Sequence, residues 1–329
     1  MNRRHTLFGT ALFLLACLAI MGCEKEITVD LPTVEEKVVI EGTIEPGQPP
    51  VILLSTSQGY FEPTDLTSLE SLYLKGATCT LSNGITTVEL EEICASELPE
   101  ELLEEVAGIL GFPPEVMAEV DLCAYTSLFN TDIWGEEGVS YELTVEYEDH
   151  YLTASTKINE VVALDSTWFE LAGNSDSLGF LHAVLTDPDT IGNAYRWFAQ
   201  RLNQYEPWSE NAGQIKDAGM IAPLGSVGDD EFFNGLSFEF AYFRGVSLGS
   251  DKEDDFNEER GFYKVGDTVA VRGCVIDYDA FLHIYAVESQ VANQGSPFAV
   301  PANIPTNVQG GLGAFVGYSV FNDTIICQP

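Results

Sequence analysis

Apolar and polar residues alternate along much of this chain. The cleanest run is Tyr141-Glu142-Leu143-Thr144-Val145-Glu146-Tyr147, in which every second side chain is apolar. That period of two predicts a strand with one face buried and the other wet. Beyond Glu148-Asp149-His150 a second arm over 151–158 completes a hairpin. Strands are also expected over 37–44 and 50–57, joined by the turn-forming Glu45-Pro46-Gly47-Gln48-Pro49. Another pair, 72–81 and 85–92, meets across Ser82-Asn83-Gly84, where Asn-Gly is a strong hairpin signal.

Between these hairpins the period changes. Leu102, Leu103, Val106, Ile109 and Leu110 recur at helical spacing, with Glu100, Glu101, Glu104 and Glu105 on the other side. They predict an amphipathic helix starting at Pro99, broken by Gly111-Phe112-Pro113-Pro114 and followed by a short helix over 115–120. Strand patterns resume at 166–171, 180–187, 194–202 and 267–276, and again over 310–326. Ala280, Ile284, Val287 and Val291 predict a helix over 279–292, with Asp279 as N-cap candidate. The stretch 203–235 is polar, contains glycine and reads as a long loop.

The expected fold is mainly β, with two β-sandwich-like domains, the first immunoglobulin- or transthyretin-like. The expected organisation is a leader over 1–22, a linker over 23–36, a first sandwich over 37–160 with a helical insertion at 96–122, and a second β-rich domain over 161–329.

The leader follows from the amino terminus. Arg3-Arg4 precedes an apolar run over 7–20, too short to span a bilayer comfortably and suited to an export signal. Ala19-Ile20-Met21-Gly22-Cys23 resembles a lipobox, with Cys23 as the lipid attachment site. Cys17 is the rival, at the cost of an apolar core of about ten residues. An ordinary cleaved signal with an unmodified cysteine is the bland alternative. No aspartate follows Cys23; the next residues are Glu24-Lys25-Glu26, which favours an outer-membrane address.

Formal net charge is −38, and loss of Arg3 and Arg4 with the leader takes it to −40. A nucleic-acid partner is excluded, because a phosphate backbone demands cationic neutralisation. An anionic lipid surface repels such a chain as well, so membrane association is expected through the anchor alone.

Five of the seven cysteines lie beyond Cys23. Export permits disulfides, and the odd number leaves one thiol out. Cys94 and Cys123 bracket the helical insertion and are expected to pair; Cys274 and Cys327, on two strands of one domain, are the second candidate pair, with Cys79 left over.

Catalytic signatures are lacking. His150, His182 and His283 are far apart in sequence, Gly225-Ser226 and Gly249-Ser250 fall in expected loops without the strand-to-helix setting of a nucleophile elbow, and there is no C-x-x-C or metal-ligand spacing. The acidic runs Asp229-Asp230-Glu231 and Asp251-Lys252-Glu253-Asp254-Asp255 crowd oxygen ligands without the spacing of an EF-hand loop, and solvated charge is the plainer reading. Asp187-Pro188-Asp189 reads as a turn at a strand end. Tyr60, Tyr205 and Trp208 fall in expected loops, where their rings are candidates for ligand contact.

Val38-Val39-Ile40-Glu41-Gly42, Gly76-Ala77, Tyr141-x-Leu143 and Tyr151-x-x-Ala154 resemble a family of Bacteroidetes lipoproteins catalogued as DUF4249, a domain of unknown function. The ending Ser296-Pro297-Phe298, Pro301, Asn307, Gly310-Gly311-Leu312-Gly313-Ala314-Phe315 and Gly317-Tyr318 is similar to that family's. The helical insertion departs from its typical member. The resemblance implies an accessory role beside a TonB-dependent outer-membrane receptor and carries no catalytic residue or cofactor. The expectation is therefore a surface-facing lipoprotein that binds a ligand or docks without catalysis. A carboxylate-dependent glycan hydrolase and a structural or adhesive surface protein are the alternatives.

Overall fold

A computed structural model describes residues 35–58, 71–110, 114–173, 175–209, 212–217, 219–245, 260–293 and 303–329. Cys23, Tyr60 and the acidic run 251–255 lie outside the described residues. The chain from Glu36 onward forms a contact unit of its own. Its first part comprises β1 (Val38–Ile44), β2 (Val51–Thr56), β3 (Thr78–Ser82), β4 (Thr87–Glu89), β5 (Glu91–Cys94), α1 (Glu100–Leu110), α2 (Pro114–Glu119), β6 (Cys123–Thr126), β7 (Ser140–Tyr147) and β8 (His150–Lys157). Then come β9 (Leu164–Leu171), β10 (Leu178–Thr186), β11 (Ala194–Arg201), β12 (Val227–Asp229), β13 (Ser237–Tyr242), β14 (Tyr263–Lys264), β15 (Thr268–Ile276), α3 (Tyr278–Ala292), β16 (Val308–Gln309), β17 (Leu312–Gly317) and β18 (Ser319–Ile326).

The protein is mainly β, built as two sandwich-like pairs of sheets. In the first, β17-β1-β2-β6-β5 faces β16-β8-β7-β3-β4. Their alternating apolar positions meet in one core: Ile40, Ile52 and Leu54 from one sheet, Leu81, Leu143 and Val145 from the other. The β7–β8 hairpin closes tightly, with Tyr147 opposite His150 and Glu148 at φ 49° in the turn. Asn83 organises the β3–β4 turn, its side-chain oxygen accepting from the amides of Ile85 and Thr86 at 3.0 and 2.7 Å.

In the second pair, a sheet in which β10 pairs with β9, β13 and β14 packs on β12-β11-β15-β18. The expected division near 161 separates β1–β8 from β9–β15, but β16 and β17 recross it. β16 pairs with β8 in one sheet, and β17 lies parallel to β1 in the other. A strand changes sheets through a bend, and here the chain bends while passing close to other backbone, which Gly310-Gly311-x-Gly313 permits. Gly313 has φ +93°, and a Cβ there would sit 2.0 Å from the Ile40 carbonyl oxygen.

α3 packs on the outer face of the second sandwich. Ala280, Phe281 and Ile284 meet Ala194, Cys274 and Ile276 as well as Ala314, Val316 and Tyr318 on the returning chain. Its N-cap is Asp277, whose carboxylate accepts from the Ala280 amide at 2.8 Å. Asp279, the candidate cap, lies two residues beyond it, inside the first turn of the helix. Arg272 on β15 also reaches Glu45 after β1 with two bonds, 3.0 and 2.8 Å.

The helical insertion packs on Leu53, with Ala107, Met117, Val120 and Leu122 buried and Leu103, Val106 and Leu110 beside them. Leu102, expected on the apolar face, is exposed, because the contact stripe runs along 103, 106, 107 and 110. The expected loop over 203–235 holds a short strand, β12, and two isolated bridges, Ala199–Ile221 and Gln204–Ile215.

Candidate functional site

The feature best suited to ligand binding lies between the sheets of the second sandwich. β10 and β13 pair with Leu181 opposite Tyr242, Ala183 opposite Phe240 and Leu185 opposite Phe238. That alternation turns Phe238, Phe240 and Tyr242 toward Tyr195 and Trp197 of β11. Phe233, in the loop before β13, completes a run of ring contacts: Tyr195–Phe233 at 6.2 Å, Phe233–Phe238 at 4.0 Å, Phe238–Phe240 at 5.7 Å and Phe240–Trp197 at 5.2 Å between centroids.

Those rings line a partly open cavity of about 140 Å³, with Gly228 and Gly273 on its floor and Val162, Leu164 and Leu185 on its walls. Gly273 lies opposite Trp197 in the β11–β15 ladder, and a Cβ at Gly228 would meet nothing within 4 Å. Small residues beside large rings leave space that a side chain would otherwise occupy.

Two polar atoms of the aromatic wall have no hydrogen-bond partner although they are buried, the Trp197 indole Nε1 and the Tyr242 hydroxyl, and Arg196 Nε is a third such atom among the lining residues. Tyr242 is 1% exposed. Burial raises its pKa well above the ordinary tyrosine value, so it remains a neutral donor. Leaving such groups unpaired in an apolar wall costs about 1–3 kcal/mol each. Arg196, on the same strand, sends its guanidinium elsewhere: Nη1 donates to Tyr318 at 2.8 Å and Nη2 approaches Glu288 at 3.8 Å.

The loops at this end of the sandwich are locked by buried acids. Asp230 accepts from the amides of Gly192 and Asn193, and Asp187 accepts from the Tyr195 hydroxyl and the Gly235 amide. Within Asp229-Asp230-Glu231, Asp230 is therefore a backbone clamp at 2% exposure. The clamp ties the 187–193 turn to the 230–236 loop that carries Phe233.

Of the expected ligand contacts, Tyr205 and Trp208 are not brought to this cavity. Trp208 is 83% exposed at the end of a hairpin-like excursion held by Tyr205 N–H to Gln214 O at 2.8 Å, and Tyr205 donates its hydroxyl to the Lys216 carbonyl at 3.3 Å. Neither lines the aromatic cavity. Its own aromatics carry a sequence signal that was available, the alternation Phe238-Glu239-Phe240-Ala241-Tyr242. What was not legible is that Trp197 lies across from it.

Cys94 and Cys123, facing partners on β5 and β6, form a disulfide at the base of the helical insertion. The other pairing is corrected: Cys274 and Cys327 are both free and buried. In the β15–β18 ladder Cys274 stands opposite Val320, seven residues short of Cys327, and at about 3.3 Å per residue that offset is beyond any disulfide. They also belong to different cores, one against α3 and one between the sheets. Cys79 is the third free thiol, and burial raises all three to about 12.

Among the described residues, the one grouping of ligand atoms close enough for a metal is Cys94, Asp121 and Cys123, and the disulfide occupies both sulfurs. The histidines stay apart: His182 stacks on Trp168 and contacts Glu239 at 3.1 Å, whereas His283 bonds the Pro305 carbonyl at 2.7 Å. A more open polar cleft between β7, β8 and the start of α3 has Glu142, Asp277 and Asp279 on its walls. There Asp277 is engaged by the Thr156 hydroxyl and by the cap itself. No described helix is long and apolar enough to cross a membrane.

A family model described as Domain of unknown function (DUF4249) matches residues 24–324. No curated protein matches the chain.

Proposed function

This chain belongs to the DUF4249 family, and from that premise we propose that it is a lipoprotein of the outer membrane, anchored through Cys23 and facing the cell exterior. There it acts without catalysis, as the ligand-binding accessory of a TonB-dependent receptor. The anchor is argued from the basic start, the short apolar run and Gly22-Cys23.

The observation that carries the ligand-binding half is the aromatic cavity with two unpartnered donors in its wall. An interior built only for stability fills such space and pairs such groups. A second support is the locking of the surrounding loops by Asp187 and Asp230, which holds the walls in place before a ligand arrives.

Three measurements test the reading. Mass spectrometry of the native protein is expected to find an acylated amino-terminal Cys23, and Cys23→Ala is expected to leave the membrane fraction. Gentle solubilisation of native membranes is expected to co-purify a barrel-type receptor. An unacylated amino terminus, or purification with no barrel attached, would overturn it.

A further inference from the structure

We propose that the cavity of the second sandwich takes a neutral, ring-sized, mainly apolar molecule that carries hydrogen-bond acceptors, with the Tyr242 hydroxyl and the Trp197 indole N–H as its two donors. This rests on the ligand-binding reading above and adds the chemical class of the ligand.

Size comes first. About 140 Å³ is close to the roughly 150 Å³ of an engineered apolar cavity that admits benzene. Shape follows from the walls, because Phe238, Phe240 and Trp197 present ring faces and edges, which favour an offset or edge-on flat guest.

Polarity is set by which partners are missing. An indole nitrogen can only donate, and a neutral phenol buried in an apolar wall has its proton to offer. The guest must therefore supply acceptor oxygens or nitrogens. Charge is excluded on both signs. A cation gains from the ring faces, but no acid lines the cavity and a cation leaves both wall donors unpaired. The one cationic side chain at its edge, Arg196, is directed to Tyr318 and Glu288. Burying an unpaired charge among aromatic rings is far costlier than burying a carbonyl that finds two donors. Aromatic ketones and related neutral carbonyl-bearing rings fit all four conditions.

The experiment compares acetophenone with ethylbenzene, which has nearly the same shape and lacks the acceptor. The chain from Glu36 onward, a contact unit by itself, is labelled at its tryptophans and both compounds are titrated. The chain has four tryptophans, so four indole signals are expected, and loss of one in Trp197→Phe assigns the reporter.

Acetophenone is expected to shift the Trp197 indole signal and to bind about 2- to 12-fold more tightly than ethylbenzene, the worth of one neutral hydrogen bond. Tyr242→Phe, which leaves the Trp197 donor alone, is expected to shrink that preference. Gly273→Val, which places methyls in the cavity, is expected to weaken both compounds at least tenfold. Equal binding of the two compounds by the unaltered protein overturns the inference and leaves the ligand-binding reading in place. Binding of neither overturns the inference and withdraws the cavity's support for that reading, which receptor co-purification then tests alone.

Discussion

Tyr242 and Tyr195 line the same cavity and make opposite predictions when each loses its hydroxyl. The Tyr242 hydroxyl has no partner, so Tyr242→Phe keeps the ring contacts with Trp197 and Phe240 at 5.9 and 5.2 Å and removes only the unpaired group. A buried unsatisfied hydroxyl costs about 1–3 kcal/mol, so the ligand-free variant is expected to be more stable by an amount in that range. The Tyr195 hydroxyl, by contrast, donates to Asp187, which is 2% exposed and bonded otherwise to the Gly235 amide and weakly to Asn193. Tyr195→Phe leaves a buried carboxylate short of a donor and is expected to cost about 1.5–3 kcal/mol. Urea unfolding followed by tryptophan fluorescence and far-ultraviolet circular dichroism reads both, as midpoints displaced in opposite directions with unchanged slope. If Tyr242→Phe lowers the midpoint, its hydroxyl has a partner in the ligand-free protein, and the argument that the cavity awaits an acceptor is refuted.

Replacing Cys94 and Cys123 by serine opens a 29-residue loop and is expected to cost about 3.6 kcal/mol on chain-entropy grounds, with hydrogen exchange rising first in the helical insertion; uniform protection would contradict it. Asp217 accepts three donors of Arg201, its backbone amide, Nε and Nη2, at a site where both residues are about 1% exposed, so Asp217→Ala should lose about 3–5 kcal/mol; a loss below about 1 kcal/mol would show that the charge is solvated. The Lys75 ammonium and the Ser96 amide hold the Asp121 carboxyl down at about 2 from an ordinary 3.8. A depressed acid contributes stability that is complete above pH 3.8 and lost as pH falls through about 2; carboxyl NMR titration reads this, and Lys75→Met should move the midpoint up.

Much of the fold is legible in the sequence for a local reason. The β7–β8 hairpin follows from a period of two and a turn of polar residues, and the insertion follows from a period near 3.6. The Cys94–Cys123 bond belongs with them, because two cysteines flanking a self-contained excursion must come close if its ends do. Cys274 and Cys327 mark where that logic stops. Being on neighbouring strands says nothing about register, and register separates them by seven residues. Asp230 shows the same limit at one position. In sequence it is the middle of a solvated acidic run, yet in the structure it is buried and accepts backbone amides from a turn about 38 residues earlier.

The chain by itself determines which residues face inward along most strands, where helix replaces strand and how negative the protein is, because each depends on neighbours in sequence or on composition alone. Only the tertiary structure decides that Trp197 stands across from Phe240 and Tyr242, that glycines lie beneath them, and that β17 crosses back to lie beside β1. Those outcomes depend on how sheets face one another and on whether a buried donor meets an acceptor. Such contacts join distant residues, and no local pattern records their pairing.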